Sequence, residues 1–235
     1  MVRVDILQPR ILPAATVARM SSCQCDRIES KFDETYAAEK LASYRSDGPD
    51  ASTEALIEAI RAEGIEGMTL LDIGGGVGAV QHALLESGVT SAQEVEASQA
   101  YLAACQAEAE RQGHADRIIH LFGDFGAVAD VVEPADIVTL DRSMCCWHDM
   151  PDLVTRSSAK ARQLYGLVYP RDVWWVRHGW RLFSNFRQLV RRSPMRVFTH
   201  RTRDVEAILS RQGFDLCSHN ELGVWQIAVY ARARG

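Results

Sequence analysis

The chain has 235 residues, enough for one substantial domain and short for two. It is 47% hydrophobic and 24% charged with a net charge of −5, a balance that suits a globular enzyme and argues against a general nucleic-acid binder. No window approaches the roughly 20 consecutive apolar residues of a membrane helix, and Pro9 and Pro13 interrupt a first segment that lacks the apolar core of a secretion signal. The cysteines Cys23, Cys25, Cys105, Cys145, Cys146 and Cys217 are scattered, as suits a reducing cytoplasm. Cys23-x-Cys25 lacks a second Cys or His pair at zinc spacing, so no metal is expected.

Residues 1–50 read as an N-terminal extension and a candidate lid, and residues 51–235 as the catalytic domain. Apolar Ala55, Leu56, Ala59 and Ile60 recur at helical spacing and predict a helix over 51–63, stopped by Gly64. A strand over 68–73 leads into a crossover helix over 77–87, then a short strand over 92–95 that ends at Glu96. A helix over 99–112 with Leu102, Cys105 and Ala109 on one face is stopped by Gly113. A third strand over 117–122 runs into the turn Gly123-Asp124-Phe125-Gly126. The fourth strand, 136–140, is apolar after its first residue except for Thr139, as suits a strand buried on both faces. A helix over 152–162 and a strand over 164–169, closed by Pro170, follow. Beyond them a long aromatic and basic helix is expected over 171–192, with Pro194 marking its end, and an extended stretch over 196–199. A helix over 204–212 and an antiparallel pair of strands, 214–218 and 224–230, close the chain. Strand and helix alternate, which implies a doubly wound α/β domain with a parallel sheet and helices on both faces.

Leu70 to Val80 is the most informative stretch: an apolar strand enters a glycine turn that opens a helix. Asp72 stands where strand meets loop, and Gly74, Gly76 and Gly78 allow the backbone to turn sharply beside a ligand. Such loops serve several nucleoside cofactors, and three features separate them. The spacing is Gly-x-Gly-x-Gly, whereas a dinucleotide fold shows Gly-x-Gly-x-x-Gly. Glu96 ends the second strand, where a carboxylate accepts from both hydroxyls of a ribose. Asp124 and the Phe125 amide follow the third strand, where they suit an adenine amino group and ring nitrogen. The plainer alternatives are Asp124 as a turn cap and Glu96 as a solvated strand-end charge.

On Leu71-Asp72-Ile73-Gly74-Gly75-Gly76-Val77-Gly78, Val95-Glu96-Ala97-Ser98, Gly123-Asp124-Phe125 and Ile137-Val138-Thr139-Leu140-Asp141, the chain resembles the class I S-adenosylmethionine (AdoMet)-dependent methyltransferases over residues 56–232. The resemblance implies a Rossmann-like, seven-stranded, mostly parallel sheet whose last strand is antiparallel, with AdoMet across the C-terminal edges of the first strands. It places Asp72 and Gly74, Gly75, Gly76 and Gly78 about the methionine and ribose, and Glu96 and Ala97 at the ribose. Asp124 and Phe125 fall to the adenine, and Asp141 with Arg142 to the edge nearest the methyl group. The tail is distantly similar to magnesium-protoporphyrin O-methyltransferases. It departs from them at Ser143-Met144-Cys145-Cys146-Trp147-His148-Asp149, which counts against a porphyrin acceptor.

Methyl transfer from a sulfonium is an in-line displacement in which the protein chiefly aligns the nucleophile. His148 is the candidate base and Asp149 its orienter, with a structural loop histidine as the alternative. Tyr44 and Arg45, ahead of the Gly48-Pro49 turn, are candidates for gripping the methionine carboxylate. Residues 171–203 carry nine Arg against the single acid Asp172, interleaved with Trp174, Trp175, Trp180, Phe183 and Phe186. That segment reads as a solvated helix packed by Val173, Val176, Trp180, Phe183 and Val190, ahead of contact with an anionic membrane. The expected activity is AdoMet-dependent methylation of a small molecule, with oxygen the favoured acceptor atom and no nucleic-acid partner. The competing readings are a nicotinamide-dependent oxidoreductase and a non-catalytic AdoMet-binding module.

Overall fold

The computed structural model describes residues 28, 31–180, 182, 183, 186, 189 and 197–233. Cys23, Cys25 and most of residues 1–30 therefore lie outside the described residues, as do Val190, Pro194 and Arg196. Helix α1 (Glu34–Asp47) starts where the Asp33 carboxylate accepts the Tyr36 amide at 2.9 Å, and it ends at Gly48. It occupies part of the expected extension. Helix α2 (Ala51–Arg61) follows at once and buries Leu56, Ile57 and Ile60 along one face.

The remaining elements alternate as the periodicity predicts. They are β1 (Thr69–Ile73), α3 (Ala79–Glu86), β2 (Ser91–Glu96), α4 (Gln99–Gln112) and β3 (Ile118–Phe122). The short α5 (Phe125–Val128), β4 (Ala135–Asp141), α6 (Met150–Ser158) and β5 (Ala161–Pro170) come next, then α7 (Thr202–Arg211), β6 (Phe214–Leu222) and β7 (Trp225–Arg232). The seven strands form one sheet in the order β3-β2-β1-β4-β5-β7-β6. All pairs from β3 to β5 are parallel, and β7 is antiparallel to both of its neighbours.

Side chains alternate across a strand, so each strand supplies both cores. Leu70, Ile137 and Val168 face α2, α3 and α4, which contribute Leu56, Ile60, Leu84 and Ala109. Leu71, Val138 and Leu167 face α5, α6 and α7, which contribute Phe125, Leu153, Val154, Val205 and Leu209.

Two helices differ from expectation. The helix over 152–162 stops at Ser158 because Ala161 already pairs with Ala135 and the Ala135 amide bonds the Lys160 carbonyl at 3.0 Å. The helix expected from Arg171 begins later, since the Arg171 amide donates to the Val224 carbonyl at 2.9 Å and prolongs the sheet. Helical turns start at Trp174 and widen into a π turn at Val176–Trp180. Of its expected packing face Val176 is buried, whereas Phe183 is exposed. Residues 197–200 are irregular and are tied to the loop after β4 by a Phe198 amide bond to the Cys145 carbonyl at 2.8 Å.

Candidate active site

The C-terminal residues of β1, β2 and β4 open into a cavity of about 380 Å³, which is also lined from above by α1 and the start of α2. Its floor is the glycine loop. The Gly74 amide donates to the Val95 carbonyl at 2.8 Å, and Gly74 has φ 73°, a left-handed conformation that disfavours a side chain. A Cβ at Gly74 would lie 2.7 Å from Cβ of Ser143, so the loop presses directly on the segment after β4. Beside it Glu96 is buried, with Oε2 accepting the Gly76 amide at 3.2 Å and Oε1 the Ser98 amide at 2.9 Å. Burial, reinforced by neighbouring Glu94, lifts the Glu96 carboxyl to about 8 against the pull of those amides.

Of the residues singled out from the sequence, Gly74, Gly75, Gly76, Glu96, Ala97, Phe125, Asp141, Arg142 and Tyr44 all line this cavity. Asp72 lies beneath it, fully buried. Its Oδ1 accepts the Thr139 hydroxyl at 2.7 Å and its Oδ2 the Gln81 amide at 3.2 Å. Burial raises its carboxyl to about 7. Asp72 thus supports the loop from below and does not border the ligand space. Gly78 opens α3 and packs against Cys105 and His82, also away from the cavity. The Asp124 carboxylate accepts the Gly126 amide at 2.7 Å and caps α5, while Gly123 and Phe125 on either side line the cavity.

Three candidates are placed elsewhere by the fold. Arg45 donates through Nε to Glu108 at 2.8 Å on α4, so its charge answers a buried carboxylate instead of the ligand space. After β4 the chain makes a tight turn at Met144–Cys146 that buries Met144 and Cys145 and presents Cys146 and Trp147 to the cavity. By the next residues it has left the pocket. His148 is exposed, with its ring 6.5 Å from that of Phe198, and exposed Asp149 caps α6 by accepting the Asp152 amide at 3.2 Å. The cavity lining contains neither His148 nor Asp149, and no histidine among the described residues.

Arg142 and several residues less visible in the sequence complete the walls. Arg142 has φ 54°, unusual for a residue with a side chain. Its guanidinium bonds Asp50, reaches Asp141 Oδ1 at 3.2 Å and donates to the Thr53 hydroxyl at 3.1 Å, while Thr53 donates to Asp141 Oδ2 at 2.6 Å. Burial opposes the Arg142 charge, yet Asp141 and Asp50 raise its pKa above the usual arginine value. This clasp joins the α1–α2 corner to the end of β4. Phe32, Tyr36 and Tyr101 form an aromatic cluster over the loop, with ring centroids 5.3 to 6.2 Å apart. Ser143 also lines the cavity, and its buried Oγ has no hydrogen-bond partner. The lining also includes Trp147, Trp180, Val197 and Trp225, with the Trp180 and Trp225 rings 5.6 Å apart and edge-on. Beyond Trp180, large apolar side chains at Leu182, Phe183, Phe186 and Leu189 are exposed.

No family model matches the sequence, and neither does any curated protein. The fold is similar to that of magnesium protoporphyrin IX methyltransferase from Synechocystis PCC 6803, solved with bound SAH. The TM-score is 0.67 at 15% identity, over 89% of this chain and 100% of that one. It is also similar to an O-methyltransferase family protein from Burkholderia thailandensis, with TM-score 0.68 at 12% identity over 88% of this chain and 63% of that one. The pyocyanin biosynthetic protein PhzM gives TM-score 0.56 at 18% identity, over 82% and 62% of the respective chains. The architecture is therefore the Rossmann-like fold of these methyltransferases. Among the described residues, no helix is long and apolar enough to cross a membrane.

Proposed function

We propose that the chain is an AdoMet-dependent methyltransferase acting on a small molecule. The observation that carries this reading is Glu96: a buried carboxylate, fastened to the glycine loop through the Gly76 amide, at the edge of a cavity wide enough for a nucleoside. Similarity in fold to a methyltransferase solved with SAH supports it. AdoMet supplies an electrophilic methyl group on a sulfonium centre.

The residues present fit such a cofactor. Glu96 would accept from the ribose hydroxyls, and Phe125 would border the adenine, with Asp124 holding the turn that positions it. The unpartnered Ser143 hydroxyl lies in the cavity wall beside Gly74 and can donate to the carboxylate of the methionine end. Asp141 and Arg142 fix that end of the pocket through their bonds to Thr53 and Asp50. Residues 31–50, which carry Phe32, Tyr36 and Tyr44, serve as the cover that excludes water.

The acceptor is apolar and carries an acidic oxygen. Trp147, Trp180, Val197 and Trp225 offer flat apolar surface to an aromatic body. The cavity carboxylates Asp50 and Asp141 are already engaged by Arg142 and Thr53, and no histidine lines the space among the described residues. A phenol or carboxylate, which ionises without a strong enzymic base, suits this wall better than an alcohol.

Calorimetry with AdoMet, its demethylated product and NAD tests the assignment. Both sulfur compounds are expected to bind at micromolar affinity and NAD not at all; the reverse pattern would restore the oxidoreductase reading. A labelled-AdoMet screen against phenols and aromatic acids then tests the acceptor class, and labelling of aliphatic alcohols alone would overturn it.

A further inference from the structure

The strand register builds a polar row inside the sheet. His120 pairs with Glu94, Glu94 with Asp72, and Asp72 with Thr139, so these residues lie side by side across β3, β2, β1 and β4. They share the face covered by α3 and α4, where hydrophobic side chains would normally continue. Asp72, Glu94 and Thr139 are fully buried. From α4, the buried Cys105 adds a sulfur to this layer. One donor atom each from Glu94, Cys105 and His120 lie within 4.8 Å of one another. Glu94 Oε2 is 2.6 Å from His120 Nδ1, while Glu94 Oε1 is buried with no hydrogen-bond partner. Inside the sheet, even beside the Cys105 thiol, a carboxylate oxygen without a full hydrogen-bond partner is costly unless something positive meets it.

We infer that Glu94, Cys105 and His120 form a binding site for a thiophilic divalent cation, zinc being the best match. Thiolate, imidazole and carboxylate together are zinc ligands, whereas magnesium and calcium take oxygen sets. Zinc holds such donors at about 2.0–2.3 Å, so the Glu94–His120 pair opens from 2.6 Å to admit the ion while Cys105 closes on it. Gln81 Oε1, 3.6 Å from Cys105 Sγ, stands where a fourth ligand can come from. Entry is from the sheet edge: β3 is the outermost strand, and the His120 side chain is 10% exposed. Binding displaces the Cys105 thiol proton and breaks the contact between His120 and Glu94, since metal ligands must be free of protons. The site is separate from the cavity and does not depend on the methyltransferase reading.

The full chain, stripped of metal with a chelator, is titrated with Zn²⁺ against a chromophoric chelator and with Co²⁺ by absorption. One equivalent should bind, with a thiolate-to-cobalt charge-transfer band, and Mg²⁺ should not compete. Cys105→Ser and His120→Gln should each weaken zinc by at least about 100-fold, as loss of a ligand requires. Should either variant fail to fold, alkylation of the unaltered protein in mild urea, mapped by peptide mass, reports which thiol the metal shields. Shielding of Cys105 supports the site. No cobalt–thiolate band in the unaltered protein, a band that survives Cys105→Ser, or shielding of other cysteines alone would each overturn it.

Discussion

The Glu96 carboxylate accepts the amide hydrogen of Gly76 at 3.2 Å, so the acid at the end of β2 and the loop after β1 form one rigid unit. A ligand that engages Glu96 would therefore lie beside the loop backbone.

Glu96 is accordingly the first residue to vary. Glu96→Ala removes the proposed acceptor for the ribose hydroxyls and the partner of the Gly76 amide, and AdoMet affinity should fall about 10- to 100-fold by calorimetry, corresponding to about 1.4–3 kcal/mol. Glu96→Gln, which keeps one acceptor oxygen and the bulk, should retain more. Because the carboxyl lies near 8, affinity for AdoMet should rise as pH passes upward through that value and more Glu96 becomes ionised. A flat profile from pH ~6.5 to ~9 would disconnect Glu96 from the ligand.

Stability should move the other way with pH. Asp72 and Glu96 are raised to about 7 and about 8 from ordinary values of 3.8 and 4.5, so the native state holds protons that the unfolded chain has already released. Their contribution is complete below the unfolded values and is lost as pH rises through the folded ones. His82, lowered to about 4 chiefly by burial, acts oppositely, but only below its ordinary 6.5. Between pH ~6.5 and ~8.5 the carboxylates therefore dominate, and Tm should fall by several degrees across that interval. In Asp72→Asn the fall should be smaller.

At Gly74 the constraint is steric. Gly74→Ala places a Cβ 2.7 Å from that of Ser143 at φ 73°, so both the left-handed conformation and the contact resist it. We expect a loss of at least about 1–2 kcal/mol in denaturant unfolding from the backbone alone. AdoMet binding should be lost by more than stability implies, since Ser143 lies in the cavity wall.

Arg142→Ala tests the clasp between the N-terminal helices and β4. It leaves the Asp141 charge, whose side chain is only 10% exposed, with the Thr53 hydroxyl alone, and should cost more stability than Asp50→Ala, which removes a half-exposed partner. Equal and small losses would show that the clasp contributes little.

The loop after β4 gives the opposite expectation. His148→Ala should leave turnover within about twofold, because the imidazole is outside the cavity and general acid–base loss would cost about 100-fold or more.

These placements show what the sequence could carry. Alternating strand and helix patterns, Gly48, Gly113 and Pro170, and the carboxylate after β2 are local signals, and the sheet, its antiparallel β7 and the glycine floor were legible from them. The walls were not. Trp180 meets Trp225, and Thr53 meets Asp141, across long stretches of chain, and single-sequence periodicity holds no trace of such pairings. Tyr101 left one faint mark, as an aromatic opening a helix rich in alanine. His148 follows β4 closely in sequence yet stands outside the cavity, because the tight turn at Met144–Cys146 carries the chain away from it.

Strand β7 lies between β5 and β6, although it follows both in the chain. During synthesis, β5 must wait with one edge unpaired while about 60 residues emerge, and β6 has no neighbour at all until β7 arrives. An unpaired, apolar edge invites association with other chains. The nascent protein is thus most vulnerable just before its seventh strand is made. Loss of a few residues from β7 would free β6 and bare the edge of β5 together, so truncation within β7 should be as damaging as loss of an earlier strand.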